Sequence, residues 1–132
     1  YVNQRTTLFN KSVFHNIQYG NNSSYNYIIS LLYKYDLYQY YSTLMNGINT
    51  LAGVNGSNLS LGMQKIIMVL RGILKPNKSI VIFDEPLTSL DLVTREKISR
   101  MIYNECQNKT VIIISHDDEI MKYASKNDIF KL

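Results

Sequence analysis

The stretch IVIFDEPLTSLD, residues 80–91, decides how the chain is to be read. Four apolar residues end at two adjacent acids, Asp84 and Glu85, followed by a proline and a short turn; LVTREKISRMIYNE, residues 92–105, then carries helical character. VIIIS at 111–115 repeats the apolar run and DEIMKYA at 118–124 repeats the helix, with Leu132 expected to close a further short strand. Strand, helix, strand, helix predicts an α/β fold, a parallel sheet flanked by helices. Short continuous Val/Ile runs of this kind predict strands covered on both faces.

The upstream half has a different character. Residues 21–50 are rich in Tyr and Asn, and Ile28, Leu31, Leu32 and Tyr35 mark one amphipathic helical face. NNSS at 21–24 is read as a surface loop or a helix start. No internal repeat and no long linker interrupt the pattern. With 132 residues, 45% hydrophobic and 18% charged, the chain has the apolar content of one globular domain.

Charge narrows the function classes. The net charge is +4, but the basic residues are scattered, with no block that would track a phosphate backbone. The tyrosines at 25, 27, 33, 35, 38, 40 and 41 are not interleaved with a basic patch, so they read as core and surface of a small helical unit, and no nucleic acid is expected as a partner. The lone Cys106 allows no internal disulfide, favours a reducing setting and is expected to serve as a buried small hydrophobe. No apolar stretch approaches the roughly 20 residues that span a bilayer. YV at the start reads like the end of a strand, so the chain is expected to be cut from something longer.

Ligands of open parallel sheets bind beyond the carboxyl ends of the strands. Asp84 and Glu85 lie at one such end and His116 follows the other, so the three can share a site. Side chains alternate along an extended segment, which gives the two acids different directions and different work: one holds a cation, the other handles water. Upstream, GVNGSNLSLGMQKIIMVLRGILKPN at 53–77 places Met63, Ile66, Ile67, Leu70, Ile73 and Leu74 at helical spacing, with Ser60 as N-cap and Pro76 past the end. A serine hydroxyl and free N–H groups at the positive end of a helix suit an anion, most naturally phosphate. Capping alone accounts for Ser60; it does not account for Gly62, which costs stability in a first turn unless something approaches the backbone closely.

These residues resemble the ATP-binding cassette (ABC) family. LSLGMQK is similar to its LSGGQ signature, YVNQ to its Q-loop, IVIFDEP to its Walker B motif with the following glutamate, LTSLD to its D-loop and IIISHD to its H-loop, in the family's order. QRTTLFNKSVFHNIQYG at 4–20 and NGINTLAGVNGSNLS at 46–60 resemble the exporter branch. The resemblance implies a partial P-loop NTPase-like sheet with an α-helical signature subdomain: a Q-loop and helical part over about 1–75 and a Walker B, D-loop and H-loop core over about 76–132. No G-x-x-x-x-G-K-[ST] phosphate loop occurs within these residues; in the family it lies upstream of the Q-loop.

The resemblance also implies roles. Asp84 would bind Mg²⁺ beside ATP, Glu85 would orient or deprotonate the attacking water, and His116 would contact the γ-phosphate. Gln4 would reach metal and water, while Ser60 and Gly62 would grip ATP held by a second nucleotide-binding domain, as a homo- or heterodimer, with Asp91 organising that interface. The implied whole is an ABC-type ATPase at the cytoplasmic face of a membrane, attached to a transmembrane domain whose transport it powers. This chain alone is expected to be inactive. Leu61 and Met63 depart from the signature and point to a weakened but usable contact, and Val54 stands where exporters commonly carry glutamate. Two alternatives stay open: a truncated cassette contributing only a signature or dimerisation face, and a soluble ABC ATPase.

Overall fold

The computed structural model describes residues 1–2 and 7–124. Strands β1 (Ile80–Asp84) and β2 (Thr110–Ile114) pair in parallel, with Ile80 opposite Thr110 and Asp84 opposite Ile114. On the other edge of β1, Val2 forms an isolated parallel bridge to Phe83: its N–H donates to the Ile82 carbonyl at 2.8 Å and its carbonyl accepts from Asp84 N at 3.0 Å. YV is therefore strand-like, as its sequence suggests. The strand expected to close at Leu132 lies outside the described residues.

The crossover between the strands is helix α5 (Leu92–Glu105), whose N-cap Asp91 accepts from Thr94 N at 3.0 Å. Among the described residues five further α-helices are present: α1 (Val13–Gln18), α2 (Tyr25–Lys34), α3 (Gln39–Ser42), α4 (Leu61–Ile73) and α6 (Asp118–Met121). α2 starts where NNSS ends, because the Ser24 hydroxyl accepts from Tyr27 N at 3.2 Å and satisfies one otherwise orphaned donor. Its Ile28, Leu31 and Leu32 are buried together with Tyr35. Each such side chain contributes roughly 1.5–3 kcal/mol when fully buried.

α4 is the organising element. It buries Ile66, Ile67, Leu70 and Ile73, as its periodicity predicts, but also Met68, Val69, Arg71 and Gly72, because it has neighbours on more than one side. α1, α3, α5 and β1 all pack on it. At Gly72 the approach is closest: a Cβ there would lie 2.5 Å from Val2 Cγ2 and 3.0 Å from Phe83 Cε1. The absent side chain lets the helix settle on the sheet. Tyr41, fully buried, donates its hydroxyl to the Met63 carbonyl at 2.7 Å and ties the helical layer to the start of α4.

A polar node sits inside this apolar packing. Arg71 is nearly buried and donates through Nη2 to Asn16 Oδ1 at 2.6 Å, through Nε to the Asn16 carbonyl and through Nη1 to the Thr7 carbonyl at 3.3 Å. Its guanidinium lies 5.3 Å from the Phe9 ring centroid and 5.4 Å from that of Tyr19. Burial lowers its pKa from the ordinary arginine value.

The strands are not covered on both faces. α4 meets β1 at Phe83, and α5 and α6 border Val111 and Ile113. On the opposite face Ile80, Ile112 and Ile114 are exposed. The expectation fails because no helix among the described residues packs on that side. Cys106 is buried, and burial raises its thiol pKa, as suits a small hydrophobe.

Candidate active site at the carboxyl edge of the sheet

The parallel register brings the ends of β1 and β2 level, and Asp84, Glu85 and His116 emerge from that common edge. The two acids do point differently. Asp84 Oδ2 accepts from the Tyr1 hydroxyl at 2.6 Å. Glu85 Oε2 accepts from the Thr88 hydroxyl at 2.8 Å, and Glu85 Oε1 lies 2.8 Å from His116 Nε2. That last separation is short enough for a hydrogen bond, but the ring N–H is not aimed at the oxygen. Oε1 is consequently buried without a hydrogen-bond donor. A buried carboxylate oxygen lacking a partner is costly and is characteristic of functional sites.

Glu85 also has an unusual backbone, with φ of +48°, in the left-handed region that non-glycine residues seldom occupy. Two bonds hold it there. Its N–H donates to the Ile114 carbonyl at 2.9 Å, extending the ladder by one residue, and its carbonyl accepts from Lys65 Nζ at 2.9 Å. Burial lowers the Lys65 pKa, while Glu85 and then Asp84 act in the opposite direction. His116 itself is almost fully exposed, so it can turn toward an incoming group.

Ser60 is the N-cap of α4, accepting from Met63 N at 3.3 Å, and is exposed. Gly62 is not required by the chain's own packing: a Cβ there would make ordinary contact, 3.6 Å from Leu90 Cδ2. Asp91 caps α5, its second oxygen accepting from the Thr94 hydroxyl at 2.6 Å, and the Thr94 side-chain and backbone donors lower its pKa. The Tyr40 hydroxyl also meets Thr94 Oγ1. Among the described residues no hydrogen bond or ion pair joins Ser60, Gly62 or Asp91 to the Glu85 and His116 pair. Gln4 lies outside the described residues.

Among the described residues no three His, Cys, Asp or Glu side chains form a metal cage. Mg²⁺ needs none: it retains waters and takes one or two carboxylates together with substrate phosphates. The hard oxygens of Asp84 suit that mode. Sequence reasoning did not find Tyr1, Lys65 or Thr88. Thr88, three residues after Glu85 in the DEPLT turn, carried a local signal; Tyr1 and Lys65 reach the site from distant parts of the chain.

No described helix is long and apolar enough to cross a membrane. The chain matches, over residues 5–122, the family model described as "AAA domain, putative AbiEii toxin, Type IV TA system". It is 32% identical over 126 residues to the ABC transporter ATM1 of Plasmodium falciparum, covering 95% of this chain and 12% of that protein. Against the ATP-dependent lipid A-core flippase of Francisella tularensis subsp. holarctica the identity is 32% over 127 residues, covering 95% and 21%. The multidrug resistance protein homolog 65 of Drosophila melanogaster is 31% identical over 118 residues, covering 87% and 9%. A solved bacterial Atm1-family ABC exporter with ATP bound superposes with a TM-score of 0.78 at 27% identity, over 91% of this chain and 21% of that one. The chain thus spans about a fifth or less of its relatives' lengths. With its motifs in order, its two parallel strands and its matching helices, the chain belongs to this AAA-domain family and is homologous to part of the ATP-binding domain of ABC exporters.

Proposed function

We propose that these residues form the hydrolytic edge of an ABC exporter's nucleotide-binding domain, where Glu85 activates water for attack on ATP. The observation that carries this reading is the buried, donor-free Oε1 of Glu85 beside His116 at the carboxyl edge of a parallel sheet. An unoccupied carboxylate lone pair in a partly desolvated position is ready to accept a proton from water. Thr88 fixes the other oxygen and so aims the first. His116, almost fully exposed, contacts the γ-phosphate and holds the attacking geometry.

Asp84 would hold Mg²⁺ through water, with the Tyr1 hydroxyl orienting the carboxylate. When bound, the metal offsets charge on the phosphates. Gln4 serves the same metal and water. Ser60 and Gly62 present the N-terminus of α4 to ATP held by a second nucleotide-binding domain, identical or different, and the room beside Gly62 supports an approach from outside the chain. Asp91 orders that interface. The division at about residue 75 separates the signature-bearing helices from the catalytic core. Through an attached transmembrane domain the assembly works at the cytoplasmic face of a membrane.

The 132 residues contain no phosphate-loop pattern, and in-line attack needs the phosphates fixed. We therefore expect no turnover from this chain by itself. The test is phosphate release with Mg-ATP by the full-length protein that carries it. Glu85→Gln should retain ATP binding and lose about 10²- to 10⁴-fold in turnover. Wild-type turnover in that variant would remove Glu85 from the chemistry.

A further inference from the structure

We propose that Lys65 is a positioning residue that holds the left-handed backbone of Glu85 and couples it to the Ser60 end of α4. The proposal rests on the reading of Glu85 as the group that handles water. Glu85 has φ of +48°, and a residue in that region keeps its conformation only where its surroundings enforce it. One constraint comes from the sheet, the bond from Glu85 N–H to the Ile114 carbonyl at 2.9 Å. The other comes from a different layer, the Lys65 ammonium donating to the Glu85 carbonyl at 2.9 Å. Removing the second leaves the backbone of Glu85 held through its N–H alone.

The choice of acceptor matters. Lys65 is close enough to feel the charge of Glu85 and Asp84, yet among the described residues it forms no ion pair with either. A cation bonded to the Glu85 carboxylate would stabilise its charged form and make it a poorer base. Bonding to the carbonyl fixes the residue while Oε1 stays free of donors. Half-buried, Lys65 is also kept from swinging freely into water.

The second half of the proposal follows from the helix. Ser60 caps α4 and Lys65 lies in its second turn, about 1.5 Å of rise per residue further on, along a continuous element that runs from Leu61 to Ile73. A shift of the Ser60 end moves Lys65 with it. Whatever grips that helix terminus is therefore felt at the peptide of Glu85, through one hydrogen bond.

Lys65→Met removes the donor and keeps much of the side-chain bulk; Lys65→Arg keeps a donor. In the full-length protein carrying this chain, Lys65→Met should lower kcat for ATP by about tenfold or more, since small misplacements of a reacting group are costly. KM should stay near wild type, and exchange of the Glu85 amide, which bonds the Ile114 carbonyl, should rise. Lys65→Arg should recover most of the kcat and the protection. Wild-type kcat in Lys65→Met, alongside an inactive Glu85→Gln, would overturn the positioning role and leave the catalytic reading standing. Equal losses in folded Met and Arg variants would also overturn it. If Glu85→Gln kept full turnover, the catalytic reading would fail; unchanged exchange of the Glu85 amide in Lys65→Met would then overturn the structural claim as well. Should Lys65→Met fail to fold, a large kcat loss in Lys65→Arg decides against the proposal.

Discussion

Arg71 and Asn16 form a buried pair in which one asparagine accepts from the guanidinium twice, through Oδ1 at 2.6 Å and through its own carbonyl. Asn16 is fully buried, and its amide nitrogen also donates to the carbonyls of Phe9, Lys11 and Ser12. The pair joins α1 to α4 with all its polar atoms occupied by protein.

Asn16→Ala should therefore destabilise the fold by about 1.5–3 kcal/mol, the usual loss when a charged group gives up a buried partner. Arg71→Met should cost less than Asn16→Ala plus the loss of its aromatic contacts would suggest, because it removes the charge that needs satisfying. Urea unfolding reads both, as a shifted midpoint at unchanged slope.

Two glycines of α4 should behave oppositely. Gly72→Ala drives a methyl group against Val2 and Phe83 and should destabilise by about 1–3 kcal/mol. Gly62→Ala meets only ordinary contact and should leave stability equal or slightly higher, through helix propensity. Thermal unfolding of the two variants side by side checks the contrast. A Gly62→Ala variant that unfolds as readily as Gly72→Ala would mean that Gly62 is there for the chain's own packing.

The conformation of Glu85 carries its own test. Glu85→Gly should be more stable than Glu85→Ala by roughly 1–2 kcal/mol, since both lose the carboxylate but only glycine adopts positive φ without strain. Equal stabilities would show that the strain is relieved elsewhere.

Asp91 should contribute acid sensitivity. Its folded pKa is depressed by the Thr94 hydroxyl and N–H, so its stabilising effect is present above the ordinary aspartate value of 3.8 and is lost as pH falls below that value through the folded one. Asp91→Asn keeps a good N-cap. The variant should unfold much like the parent at neutral pH and lose less stability on acidification; the pH dependence of thermal unfolding measures the difference.

On the open face of the sheet, Ile112→Lys or Ile114→Lys should reduce self-association while changing stability little, because both residues are about half exposed. Light scattering against concentration gives the comparison.

What the sequence disclosed and what it withheld divide along range. The two strands, α5, the Ser60 cap and the meeting of Glu85 with His116 depend on local patterns and on one topological rule, and all are present in the structure. Arg71 pairs with Asn16 across 55 positions, and Tyr1 reaches Asp84 across 83; neither has a local signature. Arg71 carries a charge in a helix whose period otherwise reads as amphipathic, so its burial had to come from the packing of several neighbours at once. The uncovered face of β2 escaped for a related reason: a Val/Ile run records the propensity to be buried, not which neighbours are at hand to bury it.

The bridge from Val2 to Phe83 bears on the order in which the molecule assembles. The helical layer is itself closed over a long range, since α1 meets α4 through Asn16 and Arg71 across 55 positions. Joining Val2 to β1 closes a loop through almost all of that helical layer, and such closures pay their entropy before any contact repays it. Docking of Val2 against Gly72 and Phe83 needs that loop closed, and the Tyr1 hydroxyl reaches Asp84 only where it is. The hydroxyl that meets the Asp84 carboxylate is thus set in place by the packing of the whole helical layer.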